Sequence, residues 1–114
     1  MNVTTELNFH GMHSSETIKE EVHRRVERLG QFEQKITKCR VVIDAPHRSA
    51  RKGRSYRVHL DIHVPGKILA VHRGEEDVPG HESVEQALSD AFDAGERLLR
   101  DRHERKSDPR DPID

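Results

Sequence analysis

The chain has few of the residues from which a large core, a disulfide framework or a membrane span is built. Its 114 residues include one cysteine, no tryptophan, three phenylalanines and one tyrosine. A single cysteine excludes an internal disulfide and leaves no Cys-x-x-Cys pair for a zinc clip. No window approaches the roughly 18 consecutive apolar residues of a membrane span, and the N-terminal residues do not resemble a secretory signal. We therefore expect one small cytoplasmic domain with a thin core, made from a single sheet covered on one face.

The charges are numerous but unevenly distributed along the chain. Charged residues make up 36% of the sequence, yet the formal net charge is only −1. Residues 1–73 carry 14 Lys and Arg against 8 Asp and Glu, whereas residues 74–96 carry 8 acidic residues and no Lys or Arg. Residues 97–114 carry 6 basic and 5 acidic residues. This asymmetry indicates either a nucleic-acid or other charged partner, or an acidic segment that neutralises the basic part within the fold.

Hydrophobic periodicity predicts four strands and two helices within a single domain over residues 1–106. Alternation of period two marks the strands, and apolar residues recur every three to four positions in the helices. The predicted elements are a strand over 3–10, a helix from Ser14 or Ser15 to Gly30, strands over 36–45, 56–64 and 67–73, and a helix over 83–106. Residues 107–114 are polar and interrupted by proline, so we expect a disordered tail.

The order β-α-β-β-β-α restricts the topology of the sheet. The helix between the first two strands predicts that they are parallel and joined by a right-handed crossover. The next two connections are hairpin-like and predict antiparallel pairs. Both helices then run in the same direction on one face of a four-stranded mixed sheet, with their C-termini at one end. We therefore predict an α+β two-layer sandwich whose other sheet face is open to water.

Arginines accumulate in the second half of each predicted helix, which the topology places at one end of the molecule. The first helix carries Arg24, Arg25 and Arg28, and the second carries Arg97, Arg100, Arg102, His103 and Arg105. The planar guanidinium matches phosphate oxygens, and each neutralised phosphate releases counterions. One or two cations are enough to complement a helix dipole. We therefore favour a phosphate-binding surface over dipole compensation and pairing with nearby acids.

A basic loop between the second and third strands is a second candidate for nucleic-acid contact. The loop reads HRSARKGRSYR over 47–57, and its cations include Arg51, Lys52 and Arg54. The topology places it at the other end of the sheet, close to the acidic residues of 75–85. Neutralisation within the fold therefore competes with RNA contact, and a solvated loop is the simpler interpretation.

The sequence contains no set of residues typical of catalysis or of metal binding. Neither His10 with His13, nor His59 with His63 on the open face, has a third ligand at a recognised spacing. There is no Gly-rich phosphate loop and no Gly-x-Ser-x-Gly motif, and Cys39 lies among the apolar positions of a strand. We therefore expect no metal, no cofactor, no small-molecule substrate and no enzymatic activity.

Four segments of the chain resemble the short ribosome hibernation promoting factors, a family that includes the ribosome-associated inhibitor and was once labelled sigma-54 modulation protein. These segments are IKEEVHRRVERLGQFEQKI over 18–36, CRVVID over 39–44, YRVHLDIHVPGKILAV over 56–71 and DAGERLLRDRHERK over 93–106. The family fold is β-α-β-β-β-α with two parallel helices on a four-stranded sheet, similar to double-stranded-RNA-binding domains. This fold agrees with the topology predicted above.

The resemblance implies a protein that silences translation in stationary phase or under stress. Family members occupy the decoding channel of the small ribosomal subunit, are held there by phosphate contacts to its RNA, and carry out no chemistry. Their basic positions match Arg25 and Arg28 on the first helix, and Arg97, Arg100 and His103 on the second, with Arg24 and Arg102 beside them. We expect a monomer when the protein is not bound to the ribosome.

The second helix departs from the family pattern at three places. Ala94-Gly95 stands where a Lys-Leu pair is usual, Asp101 stands where a lysine is usual, and Glu85-Gln86-Ala87 stands where the helix usually begins with Tyr-Ala-Ala. Gly95 costs about 1 kcal/mol relative to alanine, so we expect it to permit close approach of the two helices. Because these changes weaken the basic surface, the alternative function is a protein-interaction module on the same scaffold without RNA affinity.

Overall fold

The computed structural model describes residues 3–45, 56–73 and 83–107 of the chain. Within them lie β1 (Thr4–His10), α1 (Glu16–Phe32), β2 (Lys38–Asp44), β3 (Arg57–Val64), β4 (Lys67–Arg73) and α2 (Val84–Ser107). The loop cations Arg51, Lys52 and Arg54, the acidic residues of 74–82 and residues 108–114 of the expected tail lie outside the described residues. Ser107, the first residue of that expected tail, is the last residue of α2.

The sheet has the strand order β1-β2-β3-β4, so strands that follow one another in the chain are also neighbours in the sheet. β1 and β2 are parallel, whereas β2 pairs antiparallel with β3, and β3 with β4. Because β1, β2 and β4 point the same way, the chain must run back through α1 and again through α2. The predicted α+β sandwich, with two parallel helices on one face of a four-stranded mixed sheet, is confirmed.

Helix α1 begins and ends through different kinds of cap. Ser15 is extended, and its hydroxyl accepts a hydrogen bond from the Ile18 N–H at 3.3 Å, so it is the N-cap of α1. The predicted stop at Gly30 is wrong, because α1 continues beyond it. Glu33 then becomes extended with φ −148°, and its N–H donates to the Leu29 carbonyl at 3.2 Å. The helix therefore ends without a left-handed glycine.

The core fills the space between the two helices and one face of the sheet. Alternate residues of β2 and β3 are buried, as the period of the strands predicted. Its largest fully buried side chains include Phe92, Leu29, Ile43, Leu60, Ile62, Leu88 and Leu99. Among the described residues, neither helix is apolar over a length that would cross a membrane.

Gly95 lets α2 lie directly on strand β3. A Cβ atom added at Gly95 would stand 3.1 Å from both Ile62 Cδ1 and Leu60 Cδ2, and 3.9 Å from Leu29 Cδ2 of α1. The expected close approach is therefore chiefly between helix and sheet rather than between the two helices. Because Gly95 has no side chain, two branched side chains of β3 occupy the space next to it.

The second face of the sheet carries mixed charges. Glu6 of β1 pairs with Lys38 of β2 at 3.2 Å and lies 3.8 Å from Arg40. His59 and His72 are directly opposite each other on β3 and β4, with His72 Nδ1 2.8 Å from His59 Nε2. Basic and acidic groups thus alternate across this face, in contrast to the arginine-rich helices on the other side.

Cys39 is fully buried on the core face of β2. Burial raises the pKa of its thiol from 9.0 to about 12. The thiolate, which is the reactive form of cysteine, is therefore suppressed at neutral pH. This environment is that of a structural thiol.

We predict that Cys39 resists alkylation by iodoacetamide in the native protein at neutral and mildly alkaline pH. Because the folded pKa lies above that of the unfolded chain, the stability linked to this thiol is complete below pH 9.0 and is lost as the pH rises towards about 12. Intact-protein mass spectrometry, with and without urea, measures the modified fraction. Equally fast alkylation of native and unfolded protein would show that the thiol is not buried as described.

We predict that Gly95→Val lowers the free energy of unfolding by about 1–3 kcal/mol, because the added branches collide with Ile62 and Leu60. Urea unfolding measures the change. Leu98→Val places the same β-branched residue at an exposed position of α2 and is the matched control, with an expected change within about 0.5 kcal/mol. Equal stabilities of the two variants would contradict the close packing of α2 on β3.

Candidate nucleic-acid interface

The arginines predicted to bind RNA divide into an exposed group and a covered group. The exposed group consists of Arg24, Arg28, Arg97 and Arg100, which we call the four exposed arginines. Arg25 and Arg102 are largely covered by other parts of the protein. His103 and Arg105 follow in the last two turns of α2. The number of guanidinium groups that face solvent is therefore smaller than the number of arginines in the helices.

Arg25 lies between the two helices. Its side chain is 9% exposed, and its Nη2 is 2.7 Å from Asp93 Oδ1 and 3.1 Å from Glu96 Oε2. Nη1 is 3.4 Å from Ser89 Oγ, and Cζ lies 5.4 Å from the centre of the Phe92 ring. Such partners are required because an unpaired buried charge costs several kcal/mol. In contrast to the predicted role in RNA binding, Arg25 as the structure places it joins α1 to α2.

Arg102 also has an acidic partner inside the protein. Its Nη1 is 3.5 Å from Glu33 Oε1, and the two side chains are 18% and 4% exposed. Glu33 Oε2 in addition accepts the Lys35 N–H at 2.9 Å. The pairs Arg25–Glu96 and Glu33–Arg102 follow one another in the same order along both helices, as parallel helices require. Arg102 therefore fastens the end of α1 to α2.

The helical spacing of Arg25 and Glu96 predicts the buried ion pair between them, which the number of arginines in each helix does not. Arg25 lies three residues after Val22 and four before Leu29, so it is on the apolar stripe of α1. Glu96 likewise lies four residues after Phe92 and three before Leu99, which are both fully buried in α2. Opposite charges on the apolar stripes of two helices that pack side by side predict an interhelical ion pair. Sequence reasoning missed Glu96 and Glu33 as partners.

Arg28 is anchored at one end of its guanidinium and exposed at the other. Its Nε is 3.0 Å from Glu96 Oε2, the same oxygen that Arg25 contacts. The Arg28 side chain is nevertheless 57% exposed. Binding through Nε leaves the four N–H groups of the two Nη atoms outside this contact. An exposed fork of this kind is suited to bidentate binding of a phosphate.

The four exposed arginines lie along neighbouring sides of the two helices. Arg24 and Arg28 are one turn apart on α1. Arg28 is joined to Glu96 of α2, and Arg100 follows Glu96 by one turn on that helix. The contact between Arg28 and Glu96 therefore brings the basic residues of α1 next to those of α2.

The ion pairs of the exposed arginines differ between the helices. Arg24 pairs with Glu21 of its own helix, and both lie on the surface side of α1. Within the described part of the chain, Arg97 and Arg100 have no carboxylate at ion-pair distance. Asp93, which is 58% exposed and contacts Arg25, is one of the acids at this surface, and the exposed Asp101 directly follows Arg100. The surface is therefore basic on balance and able to bind anions.

The described residues place arginines, rather than a cluster of metal ligands, at this surface. In the ranges 3–45, 56–73 and 83–107, no cluster of three or more His, Cys, Asp or Glu could hold a metal ion. The cysteine is buried and its thiol protonated, and the arginines bind without donating or accepting protons at neutral pH. Guanidinium groups can attract an anion and donate hydrogen bonds to it.

Two solved structures are similar in fold to this chain. The first is the Protein Y N-terminal domain of Thermus thermophilus, with 18% identity and a TM-score of 0.67. The second is a ribosomal subunit interface protein from Coxiella burnetii, with 11% identity and a TM-score of 0.71. Each comparison covers 89% of this chain and 98% of the other. No curated protein matches the chain.

The family described as "Sigma 54 modulation protein / S30EA ribosomal protein" matches residues 5–107. This range begins at the second residue of β1 and ends at the last residue of α2, so it covers all six elements apart from Thr4. The match also agrees with the resemblance found in the sequence. The chain therefore belongs to the Sigma 54 modulation protein / S30EA ribosomal protein family.

Proposed function

We propose that the protein binds the small ribosomal subunit, occupies its decoding channel and thereby silences translation during stress or stationary phase. Membership of a ribosomal protein family supports ribosome association, as does the fold shared with a ribosomal subunit interface protein. The observation that carries the proposal is the set of four exposed arginines on neighbouring sides of two parallel helices. The protein acts in the cytoplasm as a monomer, by occlusion, without a cofactor or a chemical step.

The proposed contacts are between guanidinium groups and the phosphates of ribosomal RNA. Each arginine presents a planar fork of donors that matches two phosphate oxygens, and each neutralised phosphate releases counterions. Four such contacts give a binding constant that falls by about 10²-fold between low and physiological salt. Strong salt dependence is therefore part of the proposal.

The last turns of α2 extend the proposed surface. Leu99 is the last residue of α2 in the described core, and the helix continues to Ser107. At about 1.5 Å per residue, this continuation is about 12 Å long. His103 and Arg105 lie on it, and we propose that they add to the RNA contact. Sequence composition alone supports a further contact through the loop residues Arg51, Lys52 and Arg54.

The alternative is a protein-interaction module without RNA affinity. One observation favours it: interior acids neutralise Arg25 and Arg102, so the exposed basic group is smaller than the sequence indicates. This alternative predicts weak binding to ribosomes at every salt concentration. It also predicts a protein partner that survives nuclease treatment of an extract.

We predict that the double variant Arg28→Glu with Arg100→Glu loses co-sedimentation with purified small subunits at low salt. Charge reversal at two of the four exposed arginines replaces attraction to phosphate by repulsion on both helices. The fraction of protein that pellets with subunits is measured as the salt concentration is raised. Bound wild-type protein should also reduce the binding of messenger RNA and transfer RNA to the subunits.

The matched control carries the same change in charge on the opposite face of the molecule. Lys38→Glu with Arg40→Glu reverses two cations of β2 on the sheet face away from the helices, where both lie near Glu6. This variant should pellet nearly as well as the wild type. If both double variants pellet equally, or if the wild type does not pellet at low salt, the proposed RNA contact is wrong. If the wild type pellets with the subunits but does not reduce the binding of transfer RNA, the proposed position in the decoding channel is wrong.

We predict that Arg25→Ala lowers the free energy of unfolding by about 3 kcal/mol, because the buried Glu96 loses one of its two arginine partners. Urea unfolding measures this change, and Arg24→Ala, one residue earlier on the exposed side of α1, should change stability by no more than about 0.5 kcal/mol. A stable Arg25→Ala variant that fails to bind subunits would restore Arg25 as an RNA ligand.

A further inference from the structure

Glu96 occupies an unusual place for a carboxylate. Its side chain is 9% exposed and lies on the apolar stripe of α2. Buried carboxylates are rare unless they are paired, because burial removes their hydration. Glu96 is paired twice through one oxygen: Oε2 is 3.1 Å from Arg25 Nη2 and 3.0 Å from Arg28 Nε. The two arginines differ in exposure, with side chains 9% and 57% exposed.

The two contacts have different consequences. Arg25 is a buried partner whose charge compensates that of Glu96 inside the protein. The negative charge of Glu96 is therefore shared between two arginines, and its contact with Arg28 does not fully neutralise the Arg28 guanidinium. Because the ion pair with Arg28 is made at Nε, the charge of Glu96 attracts one end of the guanidinium while its Nη groups remain outside the contact. A guanidinium restrained in this way loses less conformational freedom when it binds an anion.

Arg24 provides a comparison on the same helix. It is one turn before Arg28 and 72% exposed, but its partner Glu21 lies on the surface of α1 and is not part of the core. An exposed pair of this type restrains a side chain weakly. Within the described residues, Arg28 is the one member of the four exposed arginines that is held by a buried carboxylate.

We propose that Glu96 is a positioning residue: it orients the Arg28 guanidinium for bidentate binding of a phosphate of the RNA backbone. This inference rests on the proposed function, because it assigns a role within the same surface. The inference adds that Glu96, although it is negatively charged, promotes RNA binding. Loss of the restraint weakens binding by about two- to tenfold, which corresponds to ordering one long side chain.

The sign of the effect separates positioning from simple electrostatics. Glu96→Gln removes a negative charge near the proposed phosphate site, so electrostatics alone predicts tighter binding. Positioning predicts weaker binding, because a neutral amide attracts the Arg28 guanidinium less strongly than a carboxylate does. Asp93→Asn is the matched control, since it removes an acid that contacts Arg25 and is 58% exposed. This control should bind as tightly as the wild type or more tightly.

A double-mutant cycle tests whether Glu96 acts through Arg28. Co-sedimentation with small subunits is measured for the wild type, Glu96→Gln, Arg28→Gln and the variant that combines both. Positioning predicts that Glu96→Gln weakens binding only when Arg28 is present. Equal weakening in the Arg28→Gln background, or tighter binding by Glu96→Gln alone, would overturn the inference. If Glu96→Gln does not fold, Arg28→Lys replaces it: the charge is kept, the Nε contact is lost, and binding should fall by a similar factor.

A second readout does not depend on the ribosome. In the free protein, ¹⁵N relaxation should show restricted motion of the Arg28 Nε group in the wild type and greater mobility in Glu96→Gln. Unchanged mobility would overturn the restraint of Arg28 by Glu96. A wild-type protein with a restricted Arg28 Nε group that does not bind subunits would instead overturn the proposed function. The two failures are therefore distinguishable.

Discussion

The ion pair between Arg25 and Glu96 is the interaction on which the helical layer depends. Both residues stand on the apolar stripes of their helices. If either helix packed on the sheet without the other, its charged residue would have no partner of opposite charge. Neither side chain is satisfied unless α1 and α2 pack side by side in one register, because an unpaired buried charge costs several kcal/mol. The same register brings Arg102 to Glu33 at the end of α1. The two pairs together determine which arginines remain outside.

This distribution of charge explains why counts along the chain overestimate the basic surface. The first helix and the end of the second contain six described arginines, but two of them, Arg25 and Arg102, are covered and paired with interior acids. The acids concerned are Glu96 of the acidic segment and Glu33 at the C-cap of α1, so part of that segment neutralises basic residues within the fold. Neutralisation within the fold therefore accounts for part of the charge asymmetry. The four exposed arginines are the ones whose side chains are not covered when α1 and α2 pack together.

The fold could be predicted further than the site because the two depend on different kinds of information. Alternation in β3 and the chain order of elements determine strand pairing and helix direction, since topology rules leave few alternatives. The stop of α1 could not be predicted from Gly30, because Glu33 provides the cap through an extended backbone whose N–H donates to the Leu29 carbonyl. Which arginine is covered depends on partners 60 to 70 residues away in the chain, as with Arg25 and Asp93. Helical spacing places Arg25 on the apolar stripe, but it does not name those partners.

The departures of α2 from the family pattern acquire a physical meaning in this structure. Ala94 is buried, and Gly95 brings the helix against Leu60 and Ile62 of β3. A lysine and a leucine, the residues usual in the family, would require a different depth of packing. With Asp101 also replacing a usual lysine, α2 offers fewer cations than the family pattern implies. In the proposed function, the remaining cations bind phosphate, and a side chain that is already restrained loses less conformational freedom when it binds. The contact of Glu96 with Arg28 is the feature of the described residues that we propose restrains one of these cations.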